Sequence, residues 1–358
     1  MRVNSITSFK LQNSNKIQVQ KAQNSLLNST TVDSVTFGNN FTLNYIVKRA
    51  DEIALKAMKV QLHAGNIELE AANQQDQATW LKDCVIYEFE RVATSKDGKI
   101  NHPWGEKDVE TLSTEVVDDR VLPRKFAKYT ADGDINFEAL FEEGKLSYVF
   151  VHNSDASKNI YEFDKNTGKL KQVTLGKTPT SFEEEYVYSL LNDELLSYKK
   201  GYKLHDDNTK TIDEIMVFQL DENDRSELTY YQQNRVQRLG NILEVGETFF
   251  FDDYQEYTFQ EGYKKSLDGS IEQGETISMN KNKIQEYEQG FKQLKDGTKI
   301  HLPKMKTSNS GCMIELLDYG YSEKPNGEIE RNNRVEMRGG IYHIILRMLG
   351  FVGGQNEN

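Results

Sequence analysis

Four stretches of this chain repeat one pattern, and a chain that repeats on this scale has few folds open to it. "LSYKKGYKLHDDNTKTIDE", "YYQQNRVQRLGNILEVGE", "TFQEGYKKSLDGSIEQGE" and "EYEQGFKQLKDGTKIHLP" follow one another, anchored on Tyr198, Tyr230, Phe259 and Tyr287 at a spacing of about thirty residues. Three of them continue into Gly-aromatic-Lys at Gly201, Gly262 and Gly290, and turns such as Asp268-Gly269 and Asp296-Gly297 close them. The Tyr230 copy has neither the Gly nor the Asp-Gly turn. Recurrence at this period marks a stacked supersecondary unit, here one hairpin with its return strand. The pattern therefore reads as architecture before it reads as a site.

The surrounding sequence agrees. "KLSYVFVH", "IDEIMVFQLDENDRSELTYYQ" and "ETFFFDDYQEYTFQ" set aromatic and β-branched residues around Asp, Asn and Gly turns, and only five prolines interrupt 358 residues. Tyr and Phe are plentiful, at 18 and 17, while hydrophobic residues are 37% of the chain. This composition suits a thin sheet better than a thick globule, because a tyrosine buries its ring and keeps its hydroxyl wet.

The fold class expected is α+β: an N-terminal helix or helices followed by a long antiparallel β-meander of hairpin repeats. Residues 1–40, rich in Ser, Asn, Gln and Thr, form a leader that buries too little to order itself. From Phe41, the residues Leu43, Ile46, Val47, Ala50, Ile53, Ala54, Ala57 and Met58 fall at helical spacing, predicting an amphipathic helix to about Asn73. Residues 41–143 are expected to be mainly helical, 144–307 to form the meander, and 308–358 to end in a short apolar helix around "IYHIILRMLGFV".

Two local resemblances bear on function. "YEFDKNTGKLKQVT", through Tyr161, Phe163, Asp164, Gly168, Lys169 and Leu170, resembles the YD-type hairpin repeat of RHS-like bacterial surface and toxin-shell proteins. That resemblance implies a hairpin and no catalytic role. "KDGKIN" and "ADGDIN", within residues 80–143, resemble a degenerate pair of EF-hands, implying Ca2+ held by Asp97, Asp132, Asp134 and Glu143. The metal-free alternative is that both Asp-Gly pairs are tight turns. The Ser/Asn-rich leader resembles non-cleaved export leaders of bacterial effectors, and its closing "SVTFG" is similar to leaders of uncharacterised bacterial proteins.

The chain contains no phosphate-binding loop, nucleophile elbow or metalloprotease helix motif, and its six histidines are scattered singly. A net charge of −12 argues against general affinity for nucleic acid or anionic membranes. No apolar run is long enough for a spanning helix, and Cys84 and Cys312 stand in no metal or redox spacing. The aromatic concentration from Tyr230 to Tyr263 is the candidate binding surface, with Phe250, Tyr254, Tyr257, Phe259 and Tyr263 as its residues. Alternation places Thr248, Phe250, Asp252 and Tyr254 on one face, and Phe249 and Phe251 on the other. The function expected is non-catalytic binding of a protein partner by a cytoplasmic or exported protein. A half-barrel carrier of a hydrophobic ligand and an enzyme with dispersed carboxylates are the alternatives.

Overall fold

The computed structural model describes residues 36–37, 41–81 and 109–331, with breaks at 119, 131–132, 222–224, 254–255, 281–282, 289 and 308–313. Apart from Thr36–Phe37, the expected disordered leader lies outside the described residues, as do the C-terminal apolar helix and both cysteines. In the N-terminal unit, β1 (Thr36–Phe37) pairs antiparallel with β2 (Phe41–Thr42).

Helix α1 runs over Leu43–Leu81. Its buried stripe is made of two interleaved heptads, Ile46, Ile53 and Ile67 in one and Ala50, Ala57, Ala64 and Ala71 in the other. Alanine favours the helix and leaves no side chain to hold it off a neighbouring surface.

That surface is one antiparallel meander. Its first strands are β3 (Val109–Val117), β4 (Arg120–Tyr129), β5 (Ile135–Glu142), β6 (Lys145–His152), β7 (Lys158–Phe163) and β8 (Leu170–Lys177). There follow β9 (Ser181–Tyr188), β10 (Leu195–Leu204), β11 (Lys210–Leu220) and β12 (Ser226–Arg238), each paired with the next. The region from Val109 to Glu142 is therefore strand, which corrects the expected helical assignment up to residue 143. Where the sequence resembled a calcium loop, β4 and β5 pair as a hairpin, with Thr130 N donating to Asp134 O at 2.8 Å, and "INFEALFE" alternates as a half-buried strand does.

Beyond β12 each strand of the meander is broken in two. The pieces are β13 (Ile242–Val245) and β14 (Thr248–Asp253), β15 (Glu256–Gln260) and β16 (Tyr263–Lys265), and β17 (Ile271–Gln273) and β18 (Thr276–Asn280). The series continues with β19 (Lys283–Glu288) and β20 (Phe291–Gln293), β21 (Lys299–His301) and β22 (Lys304–Thr307), and β23 (Ile314–Asp318) and β24 (Tyr321–Glu323), and closes on β25 (Ile329–Arg331). The meander thus extends past residue 307, the boundary expected from the repeats. Register is kept across the breaks: Glu261 N donates to Glu275 O at 2.8 Å and Gly274 N to Gly262 O at 3.2 Å.

A single cross-strand file runs through the sheet. In register, strand by strand from β4, stand Phe126, Ala139, Val149, Tyr161, Val173, Tyr186, Tyr198, Met216 and Tyr231. The file continues through Phe249, Phe259, Ile277, Tyr287 and Met305. Every one of them is buried. Burying a large apolar side chain contributes about 1.5–3 kcal/mol, so this file is the principal stabilising feature of the sheet.

The repeat seen in the sequence is this file plus a kink. Three residues after Tyr198, Phe259 and Tyr287 come Gly201, Gly262 and Gly290, with φ of 70°, 61° and 132°. The copy without glycine fits once it is anchored on Tyr231 instead of Tyr230, because three residues on stands Asn234 at φ 50°. Asparagine is among the non-glycine residues that best tolerate the left-handed region.

Candidate binding surfaces

Helix α1 lies across the strands, and its polar contacts give its path. Arg49 pairs with Glu214 of β11 and Lys56 with Glu184 of β9. The His63 ring meets Tyr161 of β7 at 6.1 Å, and Glu70 pairs with Lys128 of β4 at 3.8 Å. These four helix positions are heptad-spaced. A heptad rises about 10.5 Å along a helix and two strand spacings are about 9.6 Å, so a heptad advances the helix by about one hairpin. The step is two strands from Arg49 to Lys56 and again from Lys56 to His63, and three strands, β7 to β4, from His63 to Glu70.

A polar row parallels the buried file on its kink side. Glu184, Lys200, Glu214 and Gln233 stand in register on β9 to β12. Gln233 donates its backbone N–H to the Glu247 carbonyl, and the backbone bond between Glu261 and Glu275 extends the row. The Lys56 ammonium lies 2.6 Å from both oxygens of Glu184, and the hydroxyls of Tyr186 and Tyr198 donate to the same carboxylate at 2.8 and 3.1 Å. Burial pushes the Glu184 pKa up, but the bonds from Lys56 and Tyr186 outweigh it and hold the carboxyl below its usual range. Burial and the Glu184 charge push both tyrosines far up, so these hydroxyls stay protonated donors.

The aromatic residues expected to form one surface do not share a face. Tyr257 and Phe259 are buried beside Phe249 and Phe251, and burial pushes Tyr257 up to about 12. Phe250 is 45% exposed, and Asp252 is exposed too. Tyr263 lies beyond the Gly262 kink, half-buried, and Tyr254 lies outside the described residues. The separation follows from the two-residue period of a strand: Phe249 and Phe251 on β14, and Tyr257 and Phe259 on β15, serve the core. Phe250 instead belongs to a different row, in register with Tyr230 and through it with Val217. Tyr230 meets Phe250 edge to face at 5.3 Å, and Val217 is 38% exposed. Sequence reasoning missed Val217 and took Tyr230 as the anchor of its repeat and the start of the aromatic stretch; the doublet Tyr230-Tyr231 was the signal that one ring of the pair must face outward.

The two expected calcium ligands that are described are not brought together. Asp134 ends the turn before β5 and Glu143 sits in the turn after it, at opposite ends of an eight-residue strand. At about 3.3 Å per residue that separation is near 26 Å, far beyond the reach of one ion. Asp97 and Asp132 lie outside the described residues. The other Asp turns show what these carboxylates do. Asp155, Asp207, Asp268 and Asp296 each accept a bond from the backbone N–H two residues on, at 2.9–3.0 Å. Such self-bonding is the ordinary reason for Asp in a hairpin turn. Among the described residues no three His, Cys, Asp or Glu side chains form a metal cluster.

The segment resembling a YD repeat forms the β7–β8 hairpin, with Tyr161 and Phe163 buried and Asp164 accepting from the backbone N–H of Thr167 at 2.8 Å. No family model and no curated protein matches the chain. Among solved structures it is similar to the crystal structure of TcdB2-TccC3, at 12% identity and a TM-score of 0.17. The match covers 64% of this chain and 16% of that one, and no conclusion is drawn from it. No described helix is long and apolar enough to cross a membrane.

Proposed function

We propose that this protein is a non-catalytic binding module that engages a protein partner through the outer face of its sheet, at Val217, Tyr230 and Phe250. The observation that carries this reading is their shared register, which puts three apolar side chains side by side on the face opposite the buried file. Exposed apolar residues standing singly are ordinary on a protein surface, but a contiguous row that includes an aromatic pair suits an interface anchor. The carrier alternative needs an open inner face, and α1 occupies that face from β4 to β11.

A photo-crosslinking amino acid at position 250, expressed in the native host, tests this reading. A discrete adduct of polypeptide mass is expected at 250 and not at Leu191, which is 87% exposed in a turn on its own. Adducts of equal yield at both positions, or none at either, would contradict it.

A further inference from the structure

Helix α1 carries a second apolar stripe. Leu55, Met58, Leu62 and Leu69 are all exposed, Leu62 by 71% and Leu69 by 66%. They follow one another at steps of three, four and seven residues, and Gly65 stands where the same spacing calls for a side chain between Leu62 and Leu69. At about 3.6 residues per turn this stripe lies nearly opposite the buried Ile and Ala heptads, on the side of α1 turned away from the sheet. A helix that covers a sheet keeps its outer face polar, and scattered surface leucines need no partner. A heptad seam running about 21 Å along the helix is instead the pattern of a helix that receives another helix.

Gly65 is the second observation. Glycine is costly in a helix interior, and a Cβ at this position would meet nothing within 4 Å, so packing within the chain does not call for it. It leaves a hole in the seam of the size that a leucine from a facing helix fills.

We propose that this face of α1 binds a second copy of the chain, the two helices packing antiparallel about a two-fold axis. Such an axis sets Leu62 of each copy on Gly65 of the other and Met58 against Leu69, so each layer joins the two heptad positions of the seam. The flanking positions agree: Lys59 comes opposite Asn66 and Glu68 opposite Gln61, so neither charge meets its like. A parallel pair would set glycine on glycine beside leucine on leucine, leaving a gap next to a crowded layer, and would align the two helix dipoles. The seam is therefore complementary to its own reverse, which is what selects a second copy as the occupant. An interface of this length is small, and suits a reversible dimer of micromolar affinity.

Sedimentation velocity of the full chain over a range of concentrations tests the proposal. A reversible monomer–dimer equilibrium is expected, weakened at least about tenfold in Leu62→Lys/Leu69→Lys with an unchanged thermal midpoint, since both side chains are exposed in the monomer. Gly65→Leu should also weaken the dimer, because it fills the hole that Leu62 needs, while the better helix former raises the thermal midpoint of the monomer. The charge-matched control Val217→Lys/Phe250→Lys should dimerise as the parent does. A chain that stays monomeric up to millimolar concentration would overturn the proposal and give the seam to another helix. Equal weakening in the control would overturn it by moving the association to the sheet face, and a tighter dimer in Gly65→Leu would overturn the antiparallel arrangement.

Discussion

The Tyr188 hydroxyl donates to the backbone carbonyl of Ala57 at 3.1 Å, joining the last residue of β9 to the middle of α1. Both residues are buried, and the bond sets how closely the helix rides over the sheet. Ala57 is in the alanine heptad and is 2% exposed, so a larger side chain there has no solvent to move into.

Enlarging this position should therefore be costly. Ala57→Leu is expected to lose about 1–3 kcal/mol in urea denaturation through overpacking, while Ala54→Leu, half-buried on the same helix, should stay within about 0.5 kcal/mol. Tyr188→Phe removes one buried bond and should lose about 1 kcal/mol. Equal losses for Ala57→Leu and Ala54→Leu would contradict the packing described.

The kinks carry a separate expectation. A methyl group at Gly274 would overlap the Glu261 carbonyl, whereas one at Gly269 meets nothing, although φ there is 82°. Gly269→Ala should cost about 1 kcal/mol from backbone strain alone. Gly274→Ala should cost more, because the Glu261 backbone must move and the aligned break in the ladder is lost. Hydrogen exchange would localise the damage to β15–β18.

Acid should act on the two halves of the sheet with opposite sign. The Glu184 carboxyl is held below its ordinary 4.5, so its contribution is present above that value and lost as pH falls through the lower folded pKa. Glu138 is lowered in the same way: burial raises it, and Lys125 and His152 outweigh that. Glu247 is raised above 4.5, so it stabilises the fold below that value and the contribution is lost as pH rises through the higher folded pKa. Lowering pH from 7 towards 5 should slow hydrogen exchange, after correction for the intrinsic rate, in β14–β18 before any loosening of β5–β10. Loosening of both regions together would contradict this assignment.

Position 234 tests the repeat directly. Asn234→Gly should be neutral or slightly stabilising, since glycine takes a φ of 50° freely. Asn234→Val should cost more than 1 kcal/mol, because a β-branched residue is disfavoured there. Equal effects of the two would mean that Asn234 is not the kink of its repeat.

Much of this architecture is legible in the sequence, and the illegible parts have physical causes. Helix α1 shows in the spacing of Ile46, Ala50, Ile53 and Ala57, and the hairpins show in the aromatic-Gly-aromatic repeat. Strands β3 to β5 were hidden because their Asp-Gly turn serves a hairpin and a calcium loop equally well. The binding surface was misplaced because a cluster of aromatics in sequence is divided by the strand period: Phe249 and Phe251 turn inward, Phe250 outward. The row from Glu184 to Glu275 was legible only in the pairs Gly246-Glu247, Glu261-Gly262 and Gly274-Glu275, where acid and kink adjoin. Which strand each helix cation reaches depends on register over more than a hundred residues, and no local pattern encodes it.

That long-range match of helix heptad to hairpin is the central claim, and a double-mutant cycle on Arg49 and Glu214 measures it. The two residues are 165 apart in sequence, with Nη2 3.0 Å from Oε2 and Nε 3.3 Å from Oε1. Arg49→Met and Glu214→Gln should each destabilise the fold, and the double variant should lose less than their sum, giving a coupling of about 1–2 kcal/mol for a bidentate, largely buried pair. Additive losses would mean that Arg49 does not sit over β11, and the registry of α1 on the meander would be wrong.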